Sequence, residues 1–191
     1  MVKKPIYVDN HATTRTDPRV VDAMLPYFTE HFGNAASRTH DFGWQAADAV
    51  DTARTQVAAL VGARATEIVF TSGATEANNL AIQGITKKYS GEPHHVITVV
   101  TEHRAVLDPC EMVEQQGGRV TYLSVQPDGF VDVDELDRAV RPDTILITVM
   151  TVNNEIGVIQ PIADISKVAQ AHGVPLHTDA AQALGLSLIH I

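Results

Sequence analysis

The spacing of apolar positions changes repeatedly along this chain. From Glu67 onward, short β-branched runs alternate with stretches whose apolar residues recur at helical intervals. This pattern predicts strand 67–71, helix 75–88, strand 95–100, helix 105–116, strand 119–124, helix 133–140, strand 144–152, helix 161–172 and strand 174–178. Strands separated by helices pair in parallel through right-handed crossovers, so the expected fold class is α/β, a mostly parallel sheet with helices on both faces. Gly117-Gly118 and Gly173 stand where helices stop, and Pro127-Asp128-Gly129 reads as a turn. Ahead of the alternation, Pro5 to Asn10 is extended, and Asp17-Pro18 supplies an N-cap and a first helical position. Val20, Val21, Met24, Leu25 and Phe28 then share one face of a helix ending near Phe32-Gly33. A longer amphipathic helix, marked by Trp44, Ala47, Val50, Val57, Leu60 and Val61, is closed by Gly62.

With 191 residues, 45% hydrophobic and 19% charged, the chain is long enough and apolar enough for one sizeable core. A net charge of -9 and a pI near 5.3 argue against nucleic acid or an anionic membrane surface as the main partner. The N-terminal MVKKPIYVD loses its apolar character at Asp9, so it is not a signal peptide, and no run has the length of a membrane span. Cys110, the single cysteine, excludes an internal disulfide and fits a reducing, cytoplasmic setting. No repeat, low-complexity tract or linker marks a boundary within the chain.

Candidate chemistry centres on Glu67 to Ile82, EIVFTSGATEANNLAI. A strand over Ile68, Val69 and Phe70 breaks on Gly73 into a helix start, where free N–H groups and the positive dipole end make a seat for phosphate. Glu76 favours the same helix N-terminus electrostatically. The stretch lacks the Gly-Lys-Ser/Thr of a nucleotide loop and the three glycines of a dinucleotide fingerprint. In an open parallel sheet, ligands sit beyond the carboxyl ends of the strands. The groups that follow the predicted strands there are Ser72 to Thr75, Thr101-Glu102-His103, Asn153-Asn154-Glu155, and Asp179 with Gln182.

Pyridoxal phosphate asks for such a set: backbone donors for the phosphate, a flat group against the ring, and a carboxylate that keeps the ring nitrogen protonated. Asp179 is either that carboxylate or an N-cap, and His103 is a ring partner or a satisfied loop histidine. Asn153 and Asn154 serve the site or form a left-handed turn, and Gln182 serves it or is an exposed helix residue.

YVDNHATT (7–14), GNAAS with His40 (33–40), EIVFTSGATEANNLAI (67–82), TEHRAVL (101–107), VNNEIGVIQPI (152–162) and HTDAAQALG (177–185) together resemble the cysteine desulfurases of the NifS/IscS type. These are class V, fold-type I pyridoxal phosphate enzymes, and the resemblance runs from about Pro5 to Gly185. It implies the front part of a fold-type I large domain, truncated. The expected segments are an N-terminal extended piece (1–16), N-terminal helices (17–62), an incomplete pyridoxal phosphate-binding α/β domain (63–185) and a tail (186–191). By position, it implies that Ala74 and Thr75 bind the cofactor phosphate, that His103 stacks on the pyridine ring with a catalytic role, and that Asp179 pairs with the ring nitrogen. Asn154 would lie near the ring hydroxyl and substrate carboxylate, and Gln182 would hydrogen-bond the ring oxygen. The implied reaction converts L-cysteine to L-alanine and passes sulfur as an enzyme persulfide to an acceptor or iron–sulfur scaffold protein. The implied parent is a cytoplasmic homodimer. A metal site is not part of the expectation.

The resemblance also has gaps. The family's Schiff-base lysine follows a Ser-x-His run on the strand after the one ending at Asp179, and the lysines here are Lys3, Lys4, Lys87, Lys88 and Lys167. Cys110 reads as a buried apolar helix residue rather than the persulfide carrier. The arginine that grips the substrate carboxylate is also missing. Ala35 stands where the family usually has proline, and His11 where a small residue is common. Leu186 to Ile191, LSLIHI, departs from the family and equals the translation of CTG-TCT-CTT-ATA-CAC-ATC, a transposon end used in sequencing libraries, so it is expected to be non-native. As given, the chain is expected to lack desulfurase activity and to aggregate when expressed alone, because a parallel edge and apolar helix faces would lie open. The alternatives are another class V enzyme, such as a selenocysteine lyase or cysteine sulfinate desulfinase, and a non-catalytic scaffold or dimer partner.

Overall fold

The computed structural model describes residues 5–186 and divides into two compact units, on either side of the bond between Phe70 and Thr71. The expected non-native tail therefore lies, apart from Leu186, outside the described residues.

In the first unit, residues 5–16 carry no helix or strand. The helix predicted from Asp17 is broken in two, α1 (Pro18–Met24) and α2 (Pro26–Thr29). Pro26 has no N–H to continue the ladder, so the chain restarts a helix there with proline at its first position. Asp17 caps α1 as expected, its carboxylate accepting from Arg19 N at 2.8 Å. The long helix α3 (Asp41–Val61) starts earlier than the apolar pattern suggests, because His40 Nδ1 accepts from Gly43 N at 3.2 Å and serves as the cap. It ends on Gly62 in the left-handed conformation, φ 68°. Of its predicted apolar face, Trp44, Val50, Leu60 and Val61 are exposed.

The strand predicted over 67–71 does not form. Arg64 N and Nη2 both donate to the Glu67 carboxylate while Glu67 N donates to Arg64 O, and these bonds wind Ala65–Glu67 into a 3-10 turn. The next carbonyl, that of Ile68, accepts from Arg54 Nη1 at 2.6 Å, and the same guanidinium lies 4.8 Å from the Phe70 ring. Val69 and Phe70, expected inside, are 65% and 49% exposed. The Phe70 ring meets an arginine here and not a sheet.

The second unit holds a four-stranded parallel sheet of β1 (His95–Val99), β2 (Arg119–Leu123), β3 (Thr144–Thr148) and β4 (Leu176–His177), in the order β2-β1-β3-β4. Alternate residues of each strand face opposite sides. Val96 and Leu146 pack with Ile82 of α4 (Ala74–Lys88) and with Val106, Cys110 and Val113 of α5 (Arg104–Gln115). Ile97, Val99, Ile147 and Val149 pack with Leu136 of α6 (Val133–Ala139) and with Ile165 and Ala169 of α7 (Ile162–His172). The α/β reading, with a parallel sheet covered on both faces, is what the chain forms.

Several strands are shorter than their apolar runs. β3 was expected to reach residue 152 but ends at Thr148. Beyond it, Val149 N and Thr151 N still bond the carbonyls of His177 and Asp179, at 3.1 and 3.0 Å. The opposite side of the strand is taken over by a side chain, Glu102 Oε1, which accepts from Met150 N at 2.6 Å. A ladder that ends on a side chain is no longer a strand by its backbone pattern, although the chain stays extended.

Candidate functional site

The polar residues that follow β1, β3 and β4 and the start of α4 meet at the carboxyl-end edge of this sheet. Gly73 is the N-cap of α4, with no side chain to satisfy the first N–H groups. Ser72 N and Oγ both donate to the Glu76 carboxylate, at 2.7 and 2.6 Å, and these bonds hold that carboxyl below its ordinary range. The first bond within the helix turn runs from Ala77 N to Gly73 O at 3.1 Å, so the N–H groups of Ala74 and Thr75 have no acceptor inside the helix and lie exposed. The positive end of a fifteen-residue helix therefore opens at this edge.

Asp179 follows β4 and is 4% exposed. Its Oδ2 accepts from Asn78 Nδ2 at 2.7 Å and its Oδ1 from Ala181 N at 2.9 Å. The second bond is the local turn bond of its capping alternative, although a turn and no helix follows. Both donors are neutral, so among the described residues this buried carboxylate has no salt-bridge partner. A charge so placed is suited to an outside cation.

His103 follows β1 and caps α5, its Nδ1 accepting from Ala105 N at 3.1 Å. That bond puts the proton of the neutral ring on Nε2 and leaves the imidazole exposed. Asn153 is buried and Asn154 half-buried in the loop after β3. Neither takes the left-handed conformation, which falls to Gly157, φ 71°. Asn153 Oδ1 instead accepts from Glu155 N and Ile156 N at 2.8 and 3.0 Å, while its Nδ2 donates to Thr101 O at 2.6 Å. Gln182 is half-buried in the turn after Asp179, not on a helix.

These bonds stitch the edge together. Asn78 joins α4 to Asp179, Thr151 joins the end of β3 to Asp179 and Thr178, and Asn153 joins the loop after β3 to the loop after β1. Ala74, Thr75, His103, Asn154, Asp179 and Gln182 thus all belong to segments of one sheet edge. Three further residues escaped the sequence reading in their present roles: Asn78, Glu102 and Asn153. Asn78 had a signal, since it lies four residues before Ile82 and eight before Thr86 on the buried stripe of α4. An amide on such a stripe needs a buried acceptor.

Cys110 is fully buried, and burial, with Glu102 and Glu114 nearby, pushes its thiol up to about 12. Lys87 and Lys88 stand in the last turn of α4, and Lys167 pairs with Asp164 on α7 at 2.6 Å.

Residues 6–190 match the aminotransferase class-V family. The chain belongs to that family. Within it, the cysteine desulfurase IscS of Rickettsia bellii (strain OSU 85-389) is 56% identical over 181 residues, which are 95% of this chain and 44% of that protein. The structure described as SspA in complex with cysteine is 42% identical, with a TM-score of 0.87 over 91% of this chain and 50% of the other. DndA from Streptomyces lividans is 43% identical, with a TM-score of 0.79 over 94% of this chain and 50% of that one. The chain spans about half the length of these relatives. Among the described residues no helix is long and apolar enough to cross a membrane, and none form a cluster able to hold a metal.

Proposed function

We propose that this chain is the N-terminal, cofactor-binding part of a pyridoxal phosphate-dependent cysteine desulfurase. The observation that carries the reading is Asp179, a buried carboxylate held by two neutral donors at the strand edge where the α4 N-terminus opens. The residues fit the cofactor. Ala74 and Thr75 N–H would take its phosphate, Asp179 its ring nitrogen and the exposed imidazole of His103 its ring face. Asn154 would face the ring hydroxyl and substrate carboxylate, and Gln182 the ring oxygen.

When bound, pyridoxal phosphate supplies an electron sink for bond cleavage at the substrate α-carbon and β-carbon. The contribution of this chain is to hold and orient. Asp179 would keep the ring nitrogen protonated, and its own position is fixed by Asn78 and Ala181. His103, its proton on Nε2, would cover the ring and exclude water from that face. None of the described lysines lies at this edge, so the lysine that holds the cofactor covalently, the persulfide-forming cysteine and the arginine for the substrate carboxylate would come from the length of the relatives that this chain does not span.

L-cysteine is the substrate in this reading, supported by the cysteine named with one structural relative. The sulfur acceptor would be an iron–sulfur scaffold or thio-modification protein, the assembly a homodimer and the setting the cytoplasm, as the family resemblance implies. The test is to incubate the full-length protein, loaded with pyridoxal phosphate, with L-cysteine and to quantify alanine and protein-bound sulfane sulfur. Equimolar alanine and transferable sulfur are expected. Sulfite release from cysteine sulfinate, or selenide release from selenocysteine, with L-cysteine inert would overturn the substrate.

A further inference from the structure

The loops after β1 and β3 are tied by two side chains that reach in opposite directions. Glu102, in the first loop, accepts from Met150 N through Oε1, and Asn153, in the second, donates to Thr101 O, both at 2.6 Å. The two residues are 7% and 6% exposed. Backbone pairing between β1 and β3 runs only through Ile97 and Ile147, so beyond that point these side chains carry the registration of the loops. Each clamping residue immediately precedes a residue expected at the cofactor: His103 follows Glu102, and Asn154 follows Asn153. Asn153 Oδ1 also fixes its own loop by accepting from Glu155 N and Ile156 N.

We propose that Glu102 and Asn153 form a reciprocal clamp that positions His103 and Asn154 against the cofactor. The inference rests on the pyridoxal phosphate reading above and adds two positioning residues to it. A site on two loops holds its groups to the required fraction of an ångström only if the loops are locked to each other, and each arm of the clamp locks the residue next to it. Glu102 Oε2 is buried without a partner among the described residues, so the bond of Oε1 to Met150 N is the one that anchors the side chain. Burial pushes this carboxyl up to about 8, which makes it the neutral acid at pH 7 and glutamine its close replacement.

The test uses the full-length protein as wild type, Glu102→Ala, Glu102→Gln and Asn153→Ala. Equilibrium dialysis gives the pyridoxal phosphate dissociation constant, and visible circular dichroism gives the ellipticity per bound cofactor, which reports how the ring is held. Both alanine variants are expected to bind about tenfold more weakly, the equivalent of one lost buried hydrogen bond, and with smaller ellipticity per bound cofactor. Glu102→Gln is expected to restore both values. Should Glu102→Ala not fold, Asn153→Ala decides, since it cuts the opposite arm, together with the Oδ1 bonds to Glu155 N and Ile156 N, and leaves the Glu102 bond in place. Wild-type ellipticity per bound cofactor in the alanine variants, with only a lower melting temperature, would overturn the clamp. A wild-type protein that takes up no pyridoxal phosphate would overturn the functional reading itself.

Discussion

Asn78 Nδ2 lies 2.7 Å from Asp179 Oδ2, a bond across 101 residues of sequence between two side chains that are each 4% exposed. It ties the start of α4 to the loop after β4, so the proposed phosphate seat and the proposed ring-nitrogen partner are held by one contact. Removing the amide leaves a buried carboxylate with only the Ala181 N–H. Asn78→Ala is therefore expected to cost about 2–3 kcal/mol, the worth of a buried hydrogen bond to a charged group. Urea unfolding of the full-length protein checks this, and a loss below measurement error would show that Asp179 finds another partner.

Glu102 sets a pH dependence. Burial raises its folded-state value to about 8 from 4.5, so the folded protein binds its proton more tightly than the unfolded chain does. Its contribution is full below about pH 4.5 and is lost as pH rises through about 8, because the unfolded chain releases the proton first. Above that range, Glu102 ionises beside Asp179. Unfolding free energy measured at pH 6 and pH 9 should fall more steeply in wild type than in Glu102→Gln. Equal slopes would contradict the assignment.

The same substitution in two helices should have opposite signs. A Cβ on Gly84, inside α4, meets nothing within 4 Å, and Gly84→Ala should stabilise by about 1 kcal/mol through helix propensity. A Cβ on Gly43, in the first turn of α3, would lie 2.0 Å from Ser37 O, and Gly43→Ala should destabilise by about 1–3 kcal/mol by forcing that backbone apart. Thermal melts of the two variants decide.

Arg54 anchors the segment that replaces the predicted first strand, by its bond to Ile68 O and its place over Phe70. Arg54→Ala should speed amide exchange at Glu67 and Ile68 about tenfold, for a loss of about 1.4 kcal/mol. Unchanged exchange would mean that the Arg64 and Glu67 bonds hold the turn alone.

The α/β alternation was legible because each strand's side chains alternate between two helix layers, as Val96 and Ile97 do. The site edge was legible because loops after parallel strands gather on one side. Less legible was whatever depends on a partner distant in sequence. Ile68 to Phe70 has strand composition, yet Arg54 takes its carbonyl. The apolar run beyond Thr148 reads as strand, yet Glu102 ends its ladder. Asn153 reads as a site or turn residue and Asn78 has no reading of its own, and only their distant acceptors, the Thr101 carbonyl and Asp179, give these amides their structural function.

The most direct test of the central claim is the ¹⁵N chemical shift of pyridoxal phosphate labelled at its ring nitrogen and bound to the full-length protein. At pH 8 a pyridinium shift is expected in wild type, moving to the neutral pyridine value in Asp179→Asn. A neutral ring nitrogen in wild type, or a shift indifferent to Asp179, would contradict the site described.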